Sequence, residues 1–327
     1  RFSAPPAATR MVIVRLAGQV VAEGSIIYGH RPGFQSGREK ERGMARAGSV
    51  NYLFGTRFYK MAYVEFGNPA APAVMCVHGL TRTGRDFDAL AEALSDRFHV
   101  ICPDLPGRGK SDWLPDGLAY QPPTYVVALA HLLAQINKPV SWVGTSLGGI
   151  CGMMIAAAQN TPITRLILND IGPHIPAASL QRIREYMVSA PERFPSQAAL
   201  TAHLREVHAP FGQLSDAQWA HLARFSARQV MDHTGEGKNI AMHYDPKIVD
   251  PIRATVPLDA DMWPIWELIH MPRLVIRGAQ SDLLLAETYE RMQAEGAEGY
   301  VVADAGHAPA LMDYESQARI KAFLLGG

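Results

Sequence analysis

The chain has 327 residues, 48% of them hydrophobic and 19% charged, which is enough to bury a substantial core and too much for one minimal domain. One large domain carrying an insertion is therefore expected. Lys and Arg number 31 and Asp and Glu 31, so no net field recruits nucleic acid or an anionic membrane, and a small or neutral partner molecule is expected instead.

Residues 1–50 differ in character from the rest of the chain. "GHRPGFQSGREKERGMARAG" is polar, glycine-rich and without periodicity, and reads as a flexible N-terminal extension, with Met44 as an alternative start for the folded part. No run reaches the roughly 18 consecutive apolar residues of a membrane span. Arg15 also interrupts "MVIVRLAGQVVAEG" where the core of a signal peptide would lie, so a cytoplasmic location is expected.

Residues 51–171 alternate strands with helices. "YKMAYVEF" alternates as an exposed antiparallel strand would, whereas "AVMCVHG", "HVICPD", "VSWVGTS" and "TRLILND" are short apolar runs of the kind buried in a parallel sheet. Between them, "GRDFDALAEALSD" and "PPTYVVALAHLLAQIN" have helical spacing, and "LGGICGMMIAAAQN" is apolar nearly all round, as a buried helix is. This alternation predicts an α/β fold, a mostly parallel sheet flanked by helices, with ligands beyond the carboxyl ends of the strands. Cys76, Cys102 and Cys151 are odd in number, widely spaced and set in apolar segments, which suits reduced core thiols rather than disulfides or a zinc site.

Residues 172–265 break the pattern. "PAASLQRIREYMVSAP", "SQAALTAHLREVHAPFG" and "SDAQWAHLARFSARQVM" predict three helices with no strand between them, and "MWPIWELI" a possible fourth. An all-helical cap over the strand ends is expected, with Phe211 and Trp219 shaping a pocket. Strand logic resumes over 266–327 with "MPRLVIRG", a helix in "AETYERMQAEG", the strand "GYVVAD" and a last helix in "YESQARIKAFLL".

Gly144-Thr145-Ser146-Leu147-Gly148 matches G-x-S-x-G, a pattern expected roughly 0.1 times by chance in this composition. It follows a strand and opens a helix, the setting in which a serine is held on a tight turn as a nucleophile. A serine hydroxyl needs a base to take its proton. Of the histidines, His307 in "DAGHAPAL" stands on a loop at the same sheet edge, whereas His131, His203, His221 and His270 fall in helices or cap. Two aspartates could orient His307: Asp282 in "VIRGAQSDLL", which is favoured because it follows the penultimate strand, and Asp170 in "LILNDIGP" as the alternative. The backbone N–H groups of Leu80, after "CVHG", and Leu147 are candidate donors to a developing oxyanion, with His78 bracing that loop.

Taken together, "HGLTRTGRDFDAL", "DLPGRGKSDW", "VGTSLGGICGM", "LILNDIGP", "RGAQSDLLL" and "DAGHAPAL" resemble the α/β-hydrolase superfamily, in its branch of cap-bearing serine esterases, from about residue 52 to the end. The resemblance implies Ser146 as nucleophile, His307 as base, Asp282 as acid, Leu80 and Leu147 as oxyanion donors, and a small ester as substrate. The elbow serine departs from the aspartate of epoxide hydrolases and haloalkane dehalogenases in that superfamily. Enol-lactonase and carbon–carbon bond hydrolase chemistry remain alternatives, as does a non-catalytic receptor on the same scaffold. The cap arginines Arg184, Arg205 and Arg228 are candidates to hold a substrate carboxylate, although helix-surface arginines are usually solvated. "DLPGRGKS" imitates the end of a phosphate-binding loop, but Asp104 stands where that loop needs glycine. No metal-ligand spacing, nicotinamide fingerprint or cofactor lysine stands out, so neither metal nor cofactor is expected.

Overall fold

The structure is a computed structural model that describes residues 45–231 and 238–326. Most of the expected N-terminal extension, Met44 included, lies outside the described residues. Its last part does not behave as an extension: Arg46–Phe54 forms strand β1, which pairs antiparallel with β2, Arg57–Phe66. The physical reason is burial. Val50 and Tyr52 face inward opposite Met61 and Tyr59 in the register of the hairpin, giving this stretch an apolar face that its overall polarity hides.

The remaining core strands are β3 (Ala73–Val77), β4 (His99–Pro103), β5 (Val140–Thr145) and β6 (Ile163–Asn169). After the insertion come the two strands Arg273–Gly278 and Glu298–Val302, here the penultimate and last strands. They form one eight-stranded sheet in the order β1, β2, β4, β3, β5, β6, penultimate, last, parallel from β4 onward. The strand order reverses between β3 and β5, which creates the crevice where α/β sheets receive ligands.

Alternate side chains of each strand enter the two faces. Met75, Trp142 and Leu168 pack against helices α1 (Pro122–Ile136) and α2 (Leu147–Ala156), which bring Leu129, Leu132, Cys151 and Met153. Cys76, Val143 and Ile276 face the opposite layer, where Leu90 and Leu94 meet Ile320 and Phe323 of the C-terminal helix Tyr314–Leu325. Each fully buried aliphatic or aromatic side chain contributes roughly 1.5–3 kcal/mol of transfer free energy, so these two layers fix the sheet as a rigid platform. The three cysteines are buried and unbridged within them.

Between β6 and the penultimate strand the chain forms helices α3 (Ala177–Ser189), α4 (Gln197–Val207) and α5 (Asp216–Ser226). The segment is not all-helical. The third helix stops at Ser226, and Ala227–Met231 instead pairs antiparallel with Lys238–Met242, while His174–Ile175 pairs with Ala260–Asp261 where the insertion leaves and rejoins the core. Helical period alone can be continued past Ser226 through Val230; the competing strand partner is non-local and leaves no periodic signal. Leu200, Leu204, Trp219 and Leu222 form a separate small core within this segment.

Two local features prepare the site. A Cβ on Gly148 would collide with the Val77 carbonyl oxygen, so the start of α2 rests directly on the end of β3. Gly148→Ala is expected to destabilise the fold by about 1–3 kcal/mol in urea unfolding; an unchanged midpoint would show that this contact yields freely. His78 is buried, its Nδ1–H donating to Gly79 O at 2.7 Å and its Nε2 accepting the Leu105 N–H at 2.9 Å. Burial pulls its pKa down to about 3. Because the folded value lies below the unfolded one, the neutral ring stabilises fully above about pH 6.5, and that contribution is lost as pH falls toward 3. Its NMR ring resonances should stay still between pH 8 and about 4, and a midpoint near 6.5 would contradict this.

Candidate active site

Strand β5 delivers Ser146 to the sheet edge at φ +50°, ψ −114°, a conformation that L-residues rarely adopt and that costs of order 1–3 kcal/mol. The turn persists because its surroundings over-determine it. The Ser146 N–H donates to Asn169 O at 3.1 Å, and its carbonyl accepts from Gly149 and Ile150 at 2.8 and 3.0 Å. A Cβ on Gly144 would strike the backbone of Gly148. The glycines that flank the serine are therefore there because backbone packs on backbone, which projects the hydroxyl away from the strand.

His307 sits on the loop after the last strand, and its Nε2 lies 3.0 Å from Ser146 Oγ. Its Nδ1 lies 2.7 Å from Asp170 Oδ2. A carboxylate accepts, so Nδ1 carries the proton and Nε2 is the acceptor for the serine hydroxyl. Asp170 is fully buried at the end of β6, and it also accepts from Gly278 N at 2.8 Å and from Ser281 Oγ at 2.6 Å. Three donors thus stabilise its charge in a site shielded from bulk solvent.

The geometry corrects the favoured carboxylate. Asp282 is about half exposed and turned outward, where Arg182 of α3 donates to it through Nε and Nη2 at 2.6 and 2.8 Å. The turn "GAQSD" does serve the site, but through Ser281 and the Gly278 N–H, which hold Asp170. Spacing cannot register this, because adjacent residues of a turn point in different directions.

Leu80 and Leu147 both line the cavity above Ser146. The N–H of Leu147 is the first of its helix and has no intrahelical acceptor. The Leu80 loop is clamped from behind. Arg108, fully buried, donates through Nε to the Leu80 carbonyl at 2.9 Å and through Nη1 to Pro106 O and Tyr125 OH. Arg108 and the His78 hydrogen bonds thus hold the loop on both sides.

The cavity measures about 520 Å³, within the roughly 300–1,000 Å³ typical of small-molecule sites. Its walls are largely apolar, from Ile150, Ile171, Leu180, Ile183, Val207 and Phe211, and at its mouth Val256 and Leu258 are 78% and 72% exposed. Phe211 lines it as expected, whereas Trp219 belongs to the core of the insertion. Arg184, Arg205 and Arg228 do not line it: Arg184 donates to backbone carbonyls, Arg205 pairs with Asp216, and Arg228 donates to Met242 O. The polar groups that do face it include Thr81, Tyr186 and His208, none of which the sequence singled out. His208 closes the end of α4, a position with no periodic or motif signal.

The residues from 74 to 320 match the model of the alpha/beta hydrolase family. The chain is 40% identical over 290 residues to a 3-hydroxybutyrate-oligomer hydrolase of Cupriavidus necator, covering 86% of this chain and 98% of that one. Among solved structures it resembles an alpha/beta hydrolase of Novosphingobium aromaticivorans (35% identity, TM-score 0.75, 86% and 99% covered). It also resembles a protein of Rickettsia typhi described as a putative hydrolase (30% identity, TM-score 0.78, 87% and 99% covered). With the eight-stranded sheet and the Ser146 turn in place, these matches establish that the chain belongs to the alpha/beta hydrolase family.

Proposed function

We propose that the protein is a serine esterase that cleaves short oligoesters of hydroxy acids, of the 3-hydroxybutyrate kind, through an acyl-enzyme. The observation that carries this reading is the continuous hydrogen-bonded series from Ser146 through His307 to buried Asp170, at the floor of an apolar cavity. The activity named for the Cupriavidus necator relative, matched over 98% of its length, supports the substrate class. The exposed Val256 and Leu258 at the cavity mouth suit a chain of ester units extending outward.

In this mechanism His307 Nε2 takes the Ser146 proton as Oγ attacks the ester carbonyl, and the N–H groups of Leu80 and Leu147 receive the charge that develops on oxygen. Asp170 stabilises the imidazolium without accepting its proton. His307 then passes that proton to the departing alkoxide, which leaves as the hydroxyl end of the shortened oligomer. Water, activated by the same imidazole, attacks the acyl-enzyme and releases the carboxylic acid, restoring the Ser146 hydroxyl.

Ser146→Ala should abolish turnover of p-nitrophenyl butyrate and of 3-hydroxybutyrate dimer and trimer while leaving thermal unfolding nearly unchanged, and a fluorophosphonate probe should label only the wild type. Rapid p-nitrophenyl ester hydrolysis with no release of monomer from the oligomers would remove the substrate class and leave the esterase.

The two aspartates give a sharper test. Asp170→Asn should lower kcat by about 10³–10⁴, because the amide no longer favours the tautomer that presents Nε2 to the serine. Asp282→Asn removes an exposed ion pair and should change kcat by less than about threefold. Equal losses in the two variants would sink the assignment of Asp170.

A further inference from the structure

We propose that His208 determines specificity by reading a hydroxyl on the acyl unit of the ester, so that 3-hydroxyacyl esters are preferred to plain acyl esters of the same length. The inference rests on the esterase reading and deepens it. His208 is buried and lines the same cavity as Ser146 and His307, yet its ring makes no hydrogen bond to any described residue. One ring face is spent on Phe211, stacked at 4.6 Å and 22°.

Its position is set by the catalytic loop itself. The N–H of Gly306 donates to Pro210 O at 2.8 Å and that of Ala310 to Phe211 O at 3.1 Å, so the segment His208–Phe211 is fastened on both sides of His307. The backbone N–H of His208 also completes α4 by donating to Leu204 O at 2.8 Å. A group held this firmly is already ordered before substrate arrives, which avoids an entropic cost on binding.

The chemistry of the group selects the ligand. Burial first, and then the nearby Arg82 guanidinium, hold its pKa well below the ordinary histidine value, so the ring is a neutral donor and acceptor. An alcohol hydroxyl is also both donor and acceptor and complements such a ring fully. A carboxylate would seek an unpaired cation, but the charges of Arg82 and Arg182 are already met by the carboxylates of Asp86 and Asp282, with only Nη1 of Arg82 left without a partner. The walls beside His208 are apolar, including Val207 and Ile183. An ester without an oxygen in reach strips water from the ring and returns nothing, and sites built in this way discriminate strongly against such analogues.

The test compares kcat/KM for ethyl butyrate and ethyl 3-hydroxybutyrate in the wild type, His208→Leu and His208→Gln. The wild type should favour the hydroxy ester. His208→Leu should lower kcat/KM for the hydroxy ester by about 10–100-fold and raise that for ethyl butyrate, which no longer has to strip water from the ring. His208→Gln, which keeps a donor and an acceptor, should restore part of the preference. A wild type without preference, or a preference that survives in His208→Leu, would overturn the proposal. So would equal losses on both esters in the two variants, which would make the ring a packing element. Hydrolysis of ethyl butyrate that is lost in Ser146→Ala tests the esterase reading separately, because it does not involve the ratio.

Discussion

The buried carboxylate of Asp170 is the constraint around which the site is arranged. An ionised group with no exposure to water is tolerated only when donors surround it. Here three donors come from two separate parts of the chain: the imidazole of His307 on one side, and the hydroxyl of Ser281 with the backbone N–H of Gly278 on the other. Satisfying one charge therefore joins the end of β6, the turn after the penultimate strand and the loop after the last strand. Ser281 in turn accepts from the N–H groups of Leu283 and Leu284, which stiffens the turn that presents it.

A second constraint is close approach of backbone. The ends of β3, β5 and β6 converge around Ser146, with the start of α2 resting on Val77 and the Ser146 N–H bonded to Asn169. Asn169 adds side-chain bonds to Thr145 Oγ1 and Pro309 O, at 3.0 and 2.8 Å. The same residue thereby links the serine strand to the histidine loop. Precise placement of the serine and the imidazole comes from such links between rigid elements rather than from the loops alone.

The insertion contributes differently. It supplies an apolar roof and a few polar groups, and it reaches the platform at defined points, one of which is the pair of backbone bonds from the His307 loop to Pro210 and Phe211. Its helix α5 makes another, where His221 Nε2 meets Arg85 O at 3.0 Å and Arg85 lies over the Phe225 ring. A roof attached at the histidine loop couples the shape of the pocket to the placement of His307.

The sequence by itself determined the sheet, the order of its parallel strands with their helices and the Ser146 turn, because these depend on local patterns: short apolar runs and a glycine-flanked serine. Tertiary structure decided the rest. Whether Asp170 or Asp282 meets His307 depends on which way two side chains point at neighbouring strand ends, and Arg182 draws Asp282 outward from a helix far away in sequence. The strand pairing after Ser226, the burial of Val50 opposite Met61 and the placement of His208 in the cavity are equally non-local. Each is settled by a partner that sequence spacing does not reveal, since hydrogen bonds and burial act between surfaces that only the folded chain brings together.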